Sequence, residues 1–115
     1  MIAHVVLFQP KRDFSTAART ALAAVFQTAL REIPSIRRAN VGRRLLQGHS
    51  YEMLMKVDYE FAAVLEFDDA DDLNAYLAHP AHKQLASHLY QAFEHALMYD
   101  FEFQEGTAGV EALLT

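Results

Sequence analysis

The feature that most constrains this chain is a set of strand-like segments that are apolar on both faces. Met1-Ile2-Ala3-His4-Val5-Val6-Leu7-Phe8-Gln9 opens it. Ile2 to Phe8 reads as a strand with two hydrophobic faces, which belongs in the middle of a sheet. Tyr59 to Phe67 alternates more sharply, with Tyr59, Phe61, Ala63, Leu65 and Phe67 on one face and Glu60, Ala62, Val64 and Glu66 on the other. Leu97 to Phe103 places Leu97, Tyr99, Phe101 and Phe103 on a single face. Helices packed on one side of such a sheet would leave apolar side chains on the other side in water. A second copy of the chain, stacked sheet to sheet, covers them.

The intervening segments supply the helices. Ser15 or Thr16 can cap a helix, with Phe14 as the staple residue before it. Ala18, Leu22, Val25, Phe26, Ala29, Leu30 and Ile33 then recur at helical spacing until Pro34 ends the run. Arg37 to Leu46 reads as a weaker strand in which Gly42 marks a bulge or bend. Gly48 breaks the chain, and Tyr51 to Val57 is either a short helix or a flap. The acidic run Asp68 to Asp72 suits a helix N-terminus; it lacks the glycine and distal glutamate of a calcium loop. A short helix turns Leu73, Tyr76 and Leu77 inward, and Pro80 starts another that extends to about Ala96. The order is strand, helix, strand, strand, helix pair, strand, the split βαβ pattern of an α+β, ferredoxin-like domain. The expected architecture is a four-stranded antiparallel sheet with helices on one face, spanning residues 1–104 and paired into a dimeric α/β barrel around an internal pocket. Residues 105–115 form a tail, loosened by Gly106 and Gly109, whose Val110, Leu113 and Leu114 either dock on a partner subunit or fray.

Composition narrows the function classes. Of 115 residues, 52% are hydrophobic and only 22% charged, a balance that leaves apolar surface for a partner to bury. There is no cysteine, so disulfides, thiolate metal sites and cysteine nucleophiles are excluded. The first residues carry neither a basic signal region nor a span-length apolar run, so a cytoplasmic protein with no membrane association is expected. A net charge of −5 argues against a nucleic-acid partner. Arg37, Arg38, Arg43 and Arg44 are a local exception. They fit a charged edge strand, with an anion-binding groove as the alternative.

Six histidines are the remaining chemical resource. On the helix after Pro80, His82 shares the arc of Leu85, Ala86, Leu89 and Phe93, whereas His88 and His95 fall on the polar side with Gln84 and Gln91. Tyr76 lies on the apolar arc of its own helix, and His4 is the one strongly polar residue of the first strand. An inward histidine suits proton transfer near neutral pH, and a tyrosine beside it can donate to a carbonyl oxygen. The bland alternative is a histidine bonded to a backbone carbonyl and a tyrosine filling the core. His79 precedes Pro80 and so falls outside the helix, which spoils a metal pair with His82. No metal and no cofactor are expected, and no nucleophile elbow, P-loop or dinucleotide fingerprint is present.

Over residues 1 to about 104 the chain resembles the stress-responsive α/β barrel (Dabb) family. The matching pieces are Met1 to Phe8, Ile33-Pro34-Ser35-Ile36, Val41-Gly42, Tyr59 to Phe67, the block Tyr76 to His82, and Leu97 to Phe103 with Asp100-Phe101. The resemblance implies a stress-response-type homodimer of ferredoxin-like subunits with a pocket for a small apolar or aromatic molecule and no established activity. One member, a plant polyketide cyclase, uses a histidine and a tyrosine as an acid/base pair. These correspond to His82 and Tyr76, and its first-strand pocket histidine to His4. Two polar pocket residues of that cyclase are replaced here by Phe61 and Phe26, which implies a drier pocket, with His79 beside it. A cyclase or isomerase is therefore the enzymatic alternative. A haem or cofactor-independent monooxygenase of the wider superfamily is a third.

Overall fold

The computed structural model describes all residues, 1–115. Strand β1 (Ile2–Pro10) leads into helix α1 (Thr16–Glu32), strand β2 (Arg38–Arg43) and strand β3 (Phe61–Phe67). Helices α2 (Ala70–Ala78) and α3 (Pro80–Ala92), strand β4 (Phe93–Glu102) and helix α4 (Gly106–Leu114) complete the chain. The sheet order is β2-β3-β1-β4, with every neighbouring pair antiparallel. This is the ferredoxin-like α+β arrangement, and β1, apolar on both faces, is central as its composition requires.

The register divides the sheet into two chemical faces. His4 lies opposite Leu65 and Asp100, Val6 opposite Ala63 and Met98, and Phe8 opposite Phe61 and Ala96. These residues face the helices. The alternate set, Ala3, Val5 and Leu7 with Val64, Ala62, Leu97, Tyr99 and Phe101, lies on the open face. Phe67, Leu65 and Ala29 are almost wholly excluded from solvent, and Leu22, Ile33, Leu73, Tyr76 and Leu85 complete the core around them. Each large apolar side chain buried there contributes about 1.5–3 kcal/mol.

Local chemistry accounts for the helix ends. Ser15 caps α1, its side chain accepting from the Ala18 N–H at 3.1 Å, while Phe14 packs on the core beneath. Asp69 caps α2 by accepting from Asp72 N–H at 2.9 Å, so the acidic run is a helix start. Pro80 opens α3 at its first position.

Several expectations need correction. Helix α3 ends at Ala92 and not near Ala96, because Phe93 to Ala96 join the ladder beside Pro10 to Phe8. Pairing with the whole of β1 outweighs the helical pattern of Glu94-His95-Ala96, and it places Phe93 and His95 on a strand. Strand β2 stops at Arg43 and β3 begins at Phe61, each shorter than its hydrophobic pattern. No bulge occurs at Gly42, which pairs regularly with Ala62; the irregularity lies at Gln9/Pro10. Ser50–Leu54 form one exposed 3₁₀ turn, held by the Glu52 carboxylate accepting from the N–H groups of Gln47, Gly48 and His49. Gly48 has φ +83°, a left-handed backbone where a side chain would be strained. The C-terminal tail is helical rather than irregular, with Val110, Leu113 and Leu114 exposed.

The arginine cluster belongs to the edge strand. Arg37 pairs with Asp68 at 3.2 Å, Arg38 with Glu66 at 3.6 Å, Arg43 with Glu60 at 3.7 Å and Arg44 with Asp58 at 2.6 Å. Every guanidinium has its own carboxylate, so the anion-groove alternative loses its free charge.

Candidate functional site

A cavity of about 370 Å³ lies inside the single chain, between the helix-side face of the sheet and helices α1, α2 and α3. The sequence places the pocket within the paired barrel; the structure puts it on the opposite side of the sheet from the open face. His4 and Val6 form the floor, Leu22 and Phe26 one wall, and Leu85 and Leu89 the other. Packing here leaves a void because Phe26 and Phe61 stand at its edge as half-buried side chains instead of filling it. Phe61 stacks on Phe8 with centroids 5.2 Å apart, which holds it against the strand.

Tyr76 and His82 meet at the cavity wall with ring centroids 4.6 Å apart. Tyr76 comes from the apolar arc of α2 and is only 3% exposed, wedged between Phe67 at 5.3 Å and His4 at 5.9 Å. Burial pushes its phenol up to about 12, so it stays a proton donor at any physiological pH. Its hydroxyl makes no hydrogen bond within the protein and is not sealed off from the void. His82 comes from the first turn of α3. Its Nδ1 lies 3.1 Å from the Leu77 carbonyl oxygen. A carbonyl only accepts, so Nδ1 carries the proton and Nε2 offers its lone pair. Burial, which outweighs that bond, holds the His82 pKa below the ordinary histidine range, and His4 nearby pushes it the same way. His82 is therefore a neutral base near pH 7.

His4 is buried, and its Nδ1 lies 2.5 Å from a carboxylate oxygen of Asp100, its register partner on β4. Asp100 lies within the strand expected over Leu97 to Phe103, but no pattern marks it as a site residue, because only the register sets residue 100 opposite residue 4. His79 does not join this group. Its ring caps α3, accepting from the Ala81 N–H at 3.0 Å, and lines a separate shallow groove with Thr28, Glu32 and Gln84. The same preproline geometry that ends α2 turns it away from the void. His95 is exposed and His88 is half-buried, its Nδ1 lying 2.9 Å from the Gln84 carbonyl oxygen. No three His, Asp or Glu side chains come together as a metal set. Arg19, the one cationic side chain on the cavity lining, also escaped the sequence reading, because it lies outside the apolar stripe of α1.

Solved structures share this architecture. A dimeric, ferredoxin-like protein of unknown function from Bacteroides fragilis is 26% identical, with 89% of this chain and 95% of that chain covered at a TM-score of 0.63. A Dabb-family protein with a ferredoxin-like fold from Mesorhizobium loti is 21% identical over 90% and 97% of the two chains, at a TM-score of 0.69. A hydroxynitrile lyase from Passiflora edulis has a TM-score of 0.77 at 15% identity, covering 91% and 94%. No curated protein sequence matches the chain. The family model for the stress responsive A/B barrel domain matches residues 2–103, nearly the whole of the sheet and its helices. The chain belongs to the stress responsive A/B barrel domain (Dabb) family.

Proposed function

We propose that this protein is a homodimeric acid/base enzyme that takes a small apolar or aromatic carbonyl compound into its cavity. The observation that carries this reading is the convergence of His82 and Tyr76 on one apolar void, with complementary protonation states. A filled core would have made the same two residues structural. His82 Nε2 takes a proton from the carbon next to the carbonyl, and the C–H electron pair moves into an enolate. The carbonyl oxygen, gaining charge, accepts a hydrogen bond from the Tyr76 hydroxyl. The imidazolium then returns its proton to another carbon of the enolate, as in an isomerisation, or, once the enolate carbon has bonded to a second carbonyl carbon of the same molecule, to the alkoxide oxygen so formed, as in an intramolecular aldol closure. The hydroxynitrile lyase of the same fold supports small-molecule chemistry on this scaffold.

Surface area supports the dimer. The chain exposes 8114 Å², whereas a compact monomer of 13.0 kDa exposes about 6,300 Å². Its extents of 48 × 40 × 17 Å describe a slab with one broad apolar side. Tyr99, Phe101 and Phe103 stack along that side at 6.2 Å spacings while about half exposed. Related structures from Bacteroides fragilis and Thermobifida fusca are dimeric. The absence of cysteine fits a reducing, cytoplasmic setting, and no helix is long and apolar enough to cross a membrane.

The test is exchange of the α-protons of aryl ketones in deuterated buffer, followed by NMR. His82→Ala should lower the exchange rate by about 10²–10⁴-fold with the urea midpoint little changed. Equal exchange in the variant, or a large loss of stability with exchange retained, would sink the catalytic assignment.

A further inference from the structure

The cavity has a second polar pole, remote from Tyr76 and His82. Arg19 lines it from α1, and its guanidinium lies 4.7 Å from the centroid of the Phe14 ring, which lines it too. All four arginines of residues 37–44 are ion-paired, but Arg19 has no carboxylate partner. Its position along the cavity follows from the backbone. Phe14 N–H bonds the Lys11 carbonyl at 3.1 Å, and Lys11 N–H bonds the Ala92 carbonyl at 2.8 Å. The start of α1 is thus tied to the end of α3, where Tyr90 lines the exposed rim. From His82 to Tyr90 helix α3 rises about 12 Å. Between these poles the lining is Leu22, Phe26, Leu85, Ala86 and Leu89.

We propose that the cavity selects amphipathic monoanions, carboxylates whose apolar body spans the void and whose anionic group binds Arg19. This rests on the reading of the cavity as a substrate site, and it narrows the substrate to an acid that carries its carboxylate and its reacting carbonyl at opposite ends of an apolar body. A planar guanidinium donates two parallel N–H bonds to a carboxylate, and stacking on Phe14 orients it for that role. Lys11 and Arg12 add positive charge at the same end, against the carboxylates of Asp13 and of Glu94, which lies beside Pro10 in the ladder. The chain as a whole carries −5, so an anion is drawn to this end by local charge alone.

The experiment is isothermal titration of the full chain with octanoate, 1-octanol and octylammonium, which share an apolar body and differ in charge. Octanoate should bind about tenfold or more tighter than octanol, and octylammonium weakest. In Arg19→Gln, octanoate should fall to the octanol value while octanol binding is unchanged, and Arg19→Lys should restore part of the preference. High salt should narrow the gap in the unsubstituted protein. Equal binding of octanoate and octanol, or a preference that survives Arg19→Gln, overturns the assignment of Arg19 and leaves the cavity reading standing. Failure of all three probes to bind overturns the cavity reading, and the Arg19 proposal with it.

Discussion

Replacing Phe101 by glutamate probes the open face of the sheet. Phe101 lies opposite Ala3 on β4 and is 48% exposed in the single chain, so its removal leaves the core of each subunit intact. In a two-fold dimer the same surface meets itself, and one substitution enters the interface twice. Each carboxylate forced into a dry contact without a partner costs several kcal/mol, taken here as about 3. Two copies cost about 6 kcal/mol, and at 1.4 kcal/mol per decade the dimer dissociation constant rises by about four orders of magnitude. Sedimentation at low micromolar concentration should then show a species of 13.0 kDa in place of one near twice that mass. The far-UV circular dichroism should be unchanged, which separates dissociation from unfolding. A variant that still sediments as a dimer would refute the placement of the interface, and an unsubstituted chain that stays monomeric at high concentration would refute the dimer itself.

Two further outcomes follow from the site. Tyr76→Phe removes a hydroxyl with no protein partner, so stability should change by no more than about 0.5 kcal/mol while turnover falls. Tyr76→Ala empties a buried aromatic site and should cost about 3–5 kcal/mol by urea unfolding. His82 has a folded-state pKa held below its ordinary value by burial. The unfolded chain therefore binds more protons in the window just below about 6.5, and the stability due to neutral His82 is complete above that value and lost as pH falls through the lower folded one. The urea midpoint should drop between pH 7.5 and 5.5, and the drop should be smaller in His82→Gln; an equal drop in both would contradict the neutral-base assignment.

Much of the fold is legible in local chemistry. The two apolar faces of Ile2 to Phe8 require a central strand, the serine and aspartate caps mark where α1 and α2 begin, and Pro80 separates α2 from α3. The inward arcs of Tyr76 and His82 follow from helical periodicity alone, which is why both stand at the void. The end of α3 was not legible, because Glu94-His95-Ala96 has helical character in isolation and becomes strand only by pairing with β1. Nor was the ion pairing of the arginines, whose partners come from residues 58–68, across the β2–β3 connection or beyond.

Residue identity and spacing determined that the chain makes an antiparallel ferredoxin-like sheet with one helix-covered face and one apolar open face. They also determined that Tyr76 and His82 point inward. Three matters were left to the tertiary structure: whether those residues meet packed core or empty space, that Asp100 lands on His4, and that His79 turns away into a cap. The physical reason is range. Periodicity and caps act over one or two helical turns, whereas a void is the difference between side chains brought together from β1, β3, α1, α2 and α3. No local pattern encodes a volume left unfilled.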